Sequence, residues 1–137
     1  MTYYIKHPNF SLILKIKVFD SDIQYPINTI LSVSITSDGF SANSDMNIDI
    51  KEFISFIEDS KTLYETLTNC AMIQEKYSGQ QYIKFFGNKT GHIFVSGQLN
   101  SNGDNGFEQK LSFENCIDQT YLSEFINNLS LFCDKYR

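Results

Sequence analysis

Gly91-His92-Ile93-Phe94-Val95-Ser96-Gly97-Gln98-Leu99, an Asn/Gly-rich turn, a second alternating run over 107–113, and then Asp118-Gln119-Thr120-Tyr121-Leu122 form the stretch that decides the fold. His92, Phe94, Ser96 and Gln98 share one side of the first run, the period-2 pattern of a strand. In the second run Phe107, Leu111 and Phe113 are expected to face a core, while Glu108, Lys110 and Glu114 do not. Beyond Asp118, the residues Leu122, Phe125, Ile126, Leu129, Phe132, Cys133 and Tyr136 recur at helical spacing. Asp118 suits the N-cap of that helix, and its charge suits the helix dipole. Two strands, a polar turn and a closing helix make one buried unit on which the upstream chain can pack.

Working outward, residues 70–77 and 81–86 read as strands around a hairpin at Ser78-Gly79, and Gly87-Asn88-Lys89-Thr90-Gly91 turns the chain into the next strand. Before them, Asp49-x-x-Glu52 resembles a capping box. Ile50, Phe53, Ile54, Ile57, Tyr64 and Leu67 follow at helical spacing. Lys61 falls near the centre of that stripe, so either its ammonium snorkels outward or the helix bends near Ser60. Phe10, Leu12, Leu14, Ile16 and Val18 alternate as a half-buried strand, and residues 20–28 make a loop. Leu31, Val33 and Ile35 alternate with Ser32, Ser34 and Thr36, which implies a solvated face; Asp38-Gly39 offers a turn, with Phe40 and Ala42 as a short strand after it. The pattern predicts a single domain over 1–137 of α+β class, an antiparallel β-sheet of about six strands with two amphipathic helices packed on it.

Composition narrows the function. The 137 residues suit one domain with a sizeable core, and aromatic residues are plentiful, with 12 Phe and 8 Tyr. A net charge of −5 argues against a nucleic-acid binder and against docking on an anionic membrane. The natural complement is a basic partner. Cys70, Cys116 and Cys133 fall into no C-x-x-C spacing and read as buried free thiols of a reducing cytoplasm. No signal-peptide core can be drawn among Lys6, His7, Pro8, Lys15 and Lys17, and no apolar run is long enough to span a bilayer.

Chemistry is hard to find. His7 and His92 have no ligand neighbours at metal spacing, and Asn100-x-Asn102-x-Asp104 departs from a calcium loop because Leu111 stands where a bidentate Glu is needed. No nucleophile elbow and no phosphate-binding glycine pattern is present. We therefore expect no catalytic residue, no cofactor and no metal. An enzyme using His92 with a carboxylate, and a non-enzymatic small-ligand or regulatory binding domain, stand as the alternatives. The one marked feature is where charge accumulates. Asp38, Asp45, Asp49, Glu52, Glu58, Asp59 and Glu65, against Lys51 and Lys61, carry the entire net charge within 38–65. A solvated helix face explains such a cluster, and so does a negative patch that seats a cationic partner.

The run Gly91-His92-Ile93-Phe94-Val95-Ser96-Gly97, the strand ending Leu111-Ser112-Phe113 and the segment Asp118-Gln119-Thr120-Tyr121-Leu122-Ser123-Glu124-Phe125 resemble bacterial polymorphic-toxin immunity proteins, nearest the WapI-like immunity proteins and their relatives. Upstream, Ser37-Asp38-Gly39-Phe40 before an acidic stretch and a helix matches as well, whereas residues 1–28 lie outside the resemblance. The resemblance implies a non-enzymatic cytoplasmic protein, a monomer or weak dimer, that binds and neutralises one cognate toxin C-terminal domain of the contact-dependent inhibition type. Many such toxins are nucleases with basic grooves, so the acids of 38–65 are the expected toxin contacts, with a few aromatic anchors supplying affinity.

Overall fold

Alternation of apolar and polar residues produces the first layer. In the computed structural model, which describes residues 2–77 and 80–137, β1 (Thr2–His7), β2 (Phe10–Val18), β3 (Thr29–Ser37) and β4 (Phe40–Ile48) form an antiparallel meander in the order β1-β2-β3-β4. The register sets Leu12 beside Ile35 and Leu14 beside Val33, so one face is apolar throughout. Asp38 and Gly39 both have positive φ (47° and 86°), which is what a two-residue hairpin turn demands. β4 runs well past Ala42, because Ser44, Met46 and Ile48 continue the inward face while Asn43, Asp45 and Asn47 face out.

α1 (Ile50–Thr66) carries the chain to a second antiparallel meander. This comprises β5 (Cys70–Gln74), β6 (Tyr82–Gly87), β7 (His92–Asn102) and β8 (Glu108–Asp118), in the order β5-β6-β7-β8. A short 3₁₀ turn, Gln119–Leu122, leads into α2 (Ser123–Asp134). The α+β class, the antiparallel pairing and the two amphipathic helices are as the sequence predicts. The described strands number eight and divide into two sheets of four. The predicted Ser78-Gly79 turn lies outside the described residues.

Both sheets and both helices contribute to one core. Phe56 of α1 meets Phe85 of β6 at 5.4 Å between ring centroids, and Phe85 meets Phe125 of α2 at 6.4 Å. Tyr3 reaches Phe132 at 6.0 Å, and Phe10 of the first sheet stacks on Phe113 of the second at 5.9 Å. The buried face of α1 runs through Phe53, Phe56, Ile57, Ser60 and Leu63, which leaves Lys61 exposed. Burying Ser60 leaves no orphan, since its hydroxyl donates to the Phe56 carbonyl at 2.7 Å.

One core assignment is corrected. Phe107 is 69% exposed, while Phe113 is buried and Leu111 half-buried. The reason is strand length. β6 pairs with β7 only over 93–98, so the two longer strands project beyond it as a two-stranded arm, with Phe107 at its turn.

Asn28 ties three segments together and is 1% exposed. Its Nδ2 donates to the Ile23 and Tyr25 carbonyls at 3.1 and 3.0 Å, and its Oδ1 accepts from Thr29 Oγ1 at 2.9 Å and from the Ile50 N–H at 2.8 Å. It thus anchors the 20–28 loop and satisfies a first-turn donor of α1. A Cβ added at Gly97 would lie 2.4 Å from the Tyr82 carbonyl oxygen and 2.6 Å from Phe113 Cζ, the ring of its cross-strand partner.

Removing the Asn28 amide strands the buried Ile50 N–H and releases the part-buried Ile23 and Tyr25 carbonyls. Asn28→Ala is expected to lower the unfolding free energy by about 3 kcal/mol in urea titration, and a loss under ~0.5 kcal/mol would contradict the role assigned to it. Gly97→Ala overpacks the Phe113 contact. We expect a loss of about 1–3 kcal/mol by the same measurement, and an unchanged midpoint would show that the ring moves aside freely.

Candidate partner-binding surface

A macromolecular binding surface is built from exposed side chains on rigid elements, so the placement of the acids decides what they can do. The structure separates the seven into groups. Asp38 sits in the β3–β4 turn, and Asp45 lies on the outer face of β4, accepting from Ser32 Oγ at 2.7 Å. Asp49 is the N-cap of α1 and accepts from the Lys51 N–H at 2.8 Å, so its carboxylate is committed to the helix. The reciprocal half of a capping box is not made by Glu52, which faces Lys76 at 3.6 Å instead. Glu58 pairs with Arg137, which also holds Asp134. Asp59 and Glu65 are exposed on α1, with no ion pair among the described residues. The exposed acids of α1 are therefore Glu58, Asp59 and Glu65, with Glu52 half-buried beside them and Asp38 and Asp45 on other elements.

The histidines are placed just as plainly. His92 lies across from Asp118 in the β7–β8 register and is 3.2 Å from Thr90 Oγ1 through Nδ1. The Asp118 carboxylate accepts from the Thr120 N–H at 3.0 Å, and this cap holds its pKa below the usual carboxylate range. His7 packs edge-on against Tyr121, with centroids 4.9 Å apart. Among the described residues no group of three or more His, Cys, Asp or Glu could hold a metal ion. No described helix is long and apolar enough to cross a membrane.

Two of the three thiols depart from expectation. Cys133 is buried on α2, whereas Cys70 and Cys116 are exposed. Both lie on the outer face of the second sheet, where the register places Cys70, Phe86, Phe94 and Cys116 in one row. Phe86 and Phe94 stack at 5.0 Å with an interplanar angle of 14°, and Lys84 Nζ lies 5.5 Å from the Phe86 centroid. No local pattern marks these residues, because only strand pairing brings them together. The exposed Phe40, 69% accessible, escaped notice for the same reason.

With that geometry established, comparison with known proteins adds one finding. Residues 11–137 match the family model described as the Immunity protein WapI-like family. The match therefore takes in β2 and the 20–28 loop, which lay outside the resemblance read from the sequence. No curated protein matches the chain.

Burial pushes the Cys133 thiol up to about 11. The fold holds its neutral form, so that stabilisation is complete below the ordinary thiol range and is lost as pH rises toward the folded value. At pH 8 a thiol reagent is expected to label two sites rapidly, Cys70 and Cys116, and to reach Cys133 only on unfolding. Equal labelling rates at all three, read by intact mass, would contradict this placement.

Proposed function

Because this chain belongs to the WapI-like immunity protein family, we propose that it binds one cognate toxin domain in the cytoplasm and blocks it by covering a basic active-site groove, as on a nuclease, with its acidic surface. The observation that carries the proposal is the family match over 11–137 combined with the exposed acids of α1. Inhibition of this kind requires no chemistry from the inhibitor. It needs a rigid scaffold and complementary charge, with the affinity concentrated in a few desolvated side chains.

α1 meets the first requirement. Its inner face is locked by Phe53, Phe56, Ile57 and Leu63, so Glu52, Glu58, Asp59 and Glu65 are presented from a fixed element. A rigid helix backbone loses little conformational freedom on association. Asp38 and Asp45 extend the negative surface to the first sheet, and Asp49 contributes through the helix it caps. The partner is a basic toxin C-terminal domain, and the inhibitor acts as a monomer or weak dimer. Lys51 and Lys61 are exposed on α1 itself, Lys76 faces Glu52 and Arg137 pairs with Glu58, so Asp59 and Glu65 are the α1 acids with no ion pair among the described residues.

Charge that steers association acts on the on-rate and weakens with salt. With a cognate toxin C-terminal domain as partner, Glu58→Lys, Asp59→Lys and Glu65→Lys combined are expected to slow association about tenfold at low ionic strength. The far-ultraviolet spectrum should stay unchanged. An association rate equal to the parent's, with the same salt slope, would rule out α1 as the contact surface.

A further inference from the structure

The four edge strands are protected unequally. β1 carries Lys6 and lies against α2 through Tyr3 and Phe132. β5 is flanked by α1. β8 carries Glu108, Lys110, Glu114 and Asp118, the charges that natural edges use against unwanted pairing. β4 differs along its own length. Gln81 Nε2 donates to the Asp45 carbonyl at 3.0 Å, and Glu75 Oε2 accepts from the Asn47 N–H at 3.1 Å, so side chains from the second sheet close that half.

These two bonds also fix the direction of every backbone group on β4. Residues 45 and 47 point their N–H and C=O away from β3, so by antiparallel alternation Ser41 and Asn43 do too. Both are exposed, and no hydrogen bond from their backbone to a described residue is present. The stretch Phe40-Ser41-Ala42-Asn43-Ser44 has no charge and no proline, and is roughly 17 Å long at a strand's rise. Across from it stands the β7–β8 arm, leaving a cleft of about 330 Å³ walled by Phe40, Leu99 and Leu111. Asn100 Oδ1 is buried in that wall without a hydrogen-bond partner.

We propose that this open half of β4 receives one extended segment of the partner protein as an added strand, paired to the backbone of Ser41 and Asn43. The proposal rests on the toxin-binding reading and names where a second contact lies. Strand alternation then sets the chemistry of the guest. Side chains turned into the cleft meet the exposed Phe40 and the half-buried Leu111 and are apolar there, with Gln109 and Lys110 also in the lining. Those on the outer face approach Asp45 and are basic where they do, as cross-strand pairing with this carboxylate favours.

The test is amide hydrogen exchange on the full chain, free and saturated with a cognate toxin C-terminal domain. Ser41 and Asn43 amides should exchange at least about tenfold more slowly in the complex, while Ala42 and Ser44, already directed at β3, change little. Asn43→Pro removes one outward donor without touching the β3 ladder, and is expected to weaken binding at least about tenfold where Asn43→Ala does not. If the proline variant fails to fold, the exchange data decide. A complex in which Ser41 and Asn43 remain unprotected overturns this inference and leaves the toxin-binding reading standing. Absence of any complex overturns both.

Discussion

A sheet that ends in a strand leaves a row of backbone donors and acceptors that must be bonded, hidden or offered to a partner. How this molecule treats the outer edge of β4 governs how its two sheets are joined. Gln81, buried at 4% exposure, places an amide where a neighbouring strand would sit, bonding the Asp45 carbonyl on one side and accepting from the Asn100 N–H at 3.2 Å on the other. Ser44 Oγ adds a bond to the Asn100 carbonyl at 3.1 Å, and Asn115 Nδ2 one to Ser37 Oγ at 2.8 Å. These bonds hold two independent meanders in one relation, and the Phe10–Phe113 stack fills the space beneath them. Because the seam stops at Ser44, the remainder of the edge is left open.

Local patterns revealed the elements well and their assembly poorly. The α2 stripe, the strand alternation of 10–18 and 29–37, and the Asp38-Gly39 turn were all legible, because period and turn chemistry act over a few residues. The division into two sheets was not. It depends on α1 interrupting the strand order and on side chains such as Gln81, whose role becomes visible only when β4 and β7 lie beside each other. β1 was missed because its run is short and interrupted by lysine and histidine. Phe107 was misjudged because alternation cannot say that a neighbouring strand has already ended. The phase of α1 shows the same limit: Ser60 looks solvent-facing until its hydroxyl is seen bonded to the Phe56 carbonyl.

Function was legible in a different way. Charge counting located the acidic segment correctly on the chain but could not divide it by role. In three dimensions Asp49 belongs to a helix cap and Glu58 to an ion pair with Arg137, while Asp59 and Glu65 stand free of ion pairs among the described residues on the exposed side of α1. Asp45 lies on the outer face of β4, and Asp38 in the turn that precedes it, beside the β1–β2 turn. The family match points to a cognate toxin as the class of partner, and the two contacts proposed for it differ in kind, one made by charge on a helix and one by backbone on a strand.

The central claim is that this chain acts by occupying another protein's surface and performs no chemistry itself. Growth of cells expressing a cognate toxin C-terminal domain, with and without this chain, tests that claim most directly. The account predicts arrest with the domain alone and normal growth when the chain is present in stoichiometric amount. Arrest that persists at excess of the chain would contradict it, and so would rescue by amounts far below stoichiometric.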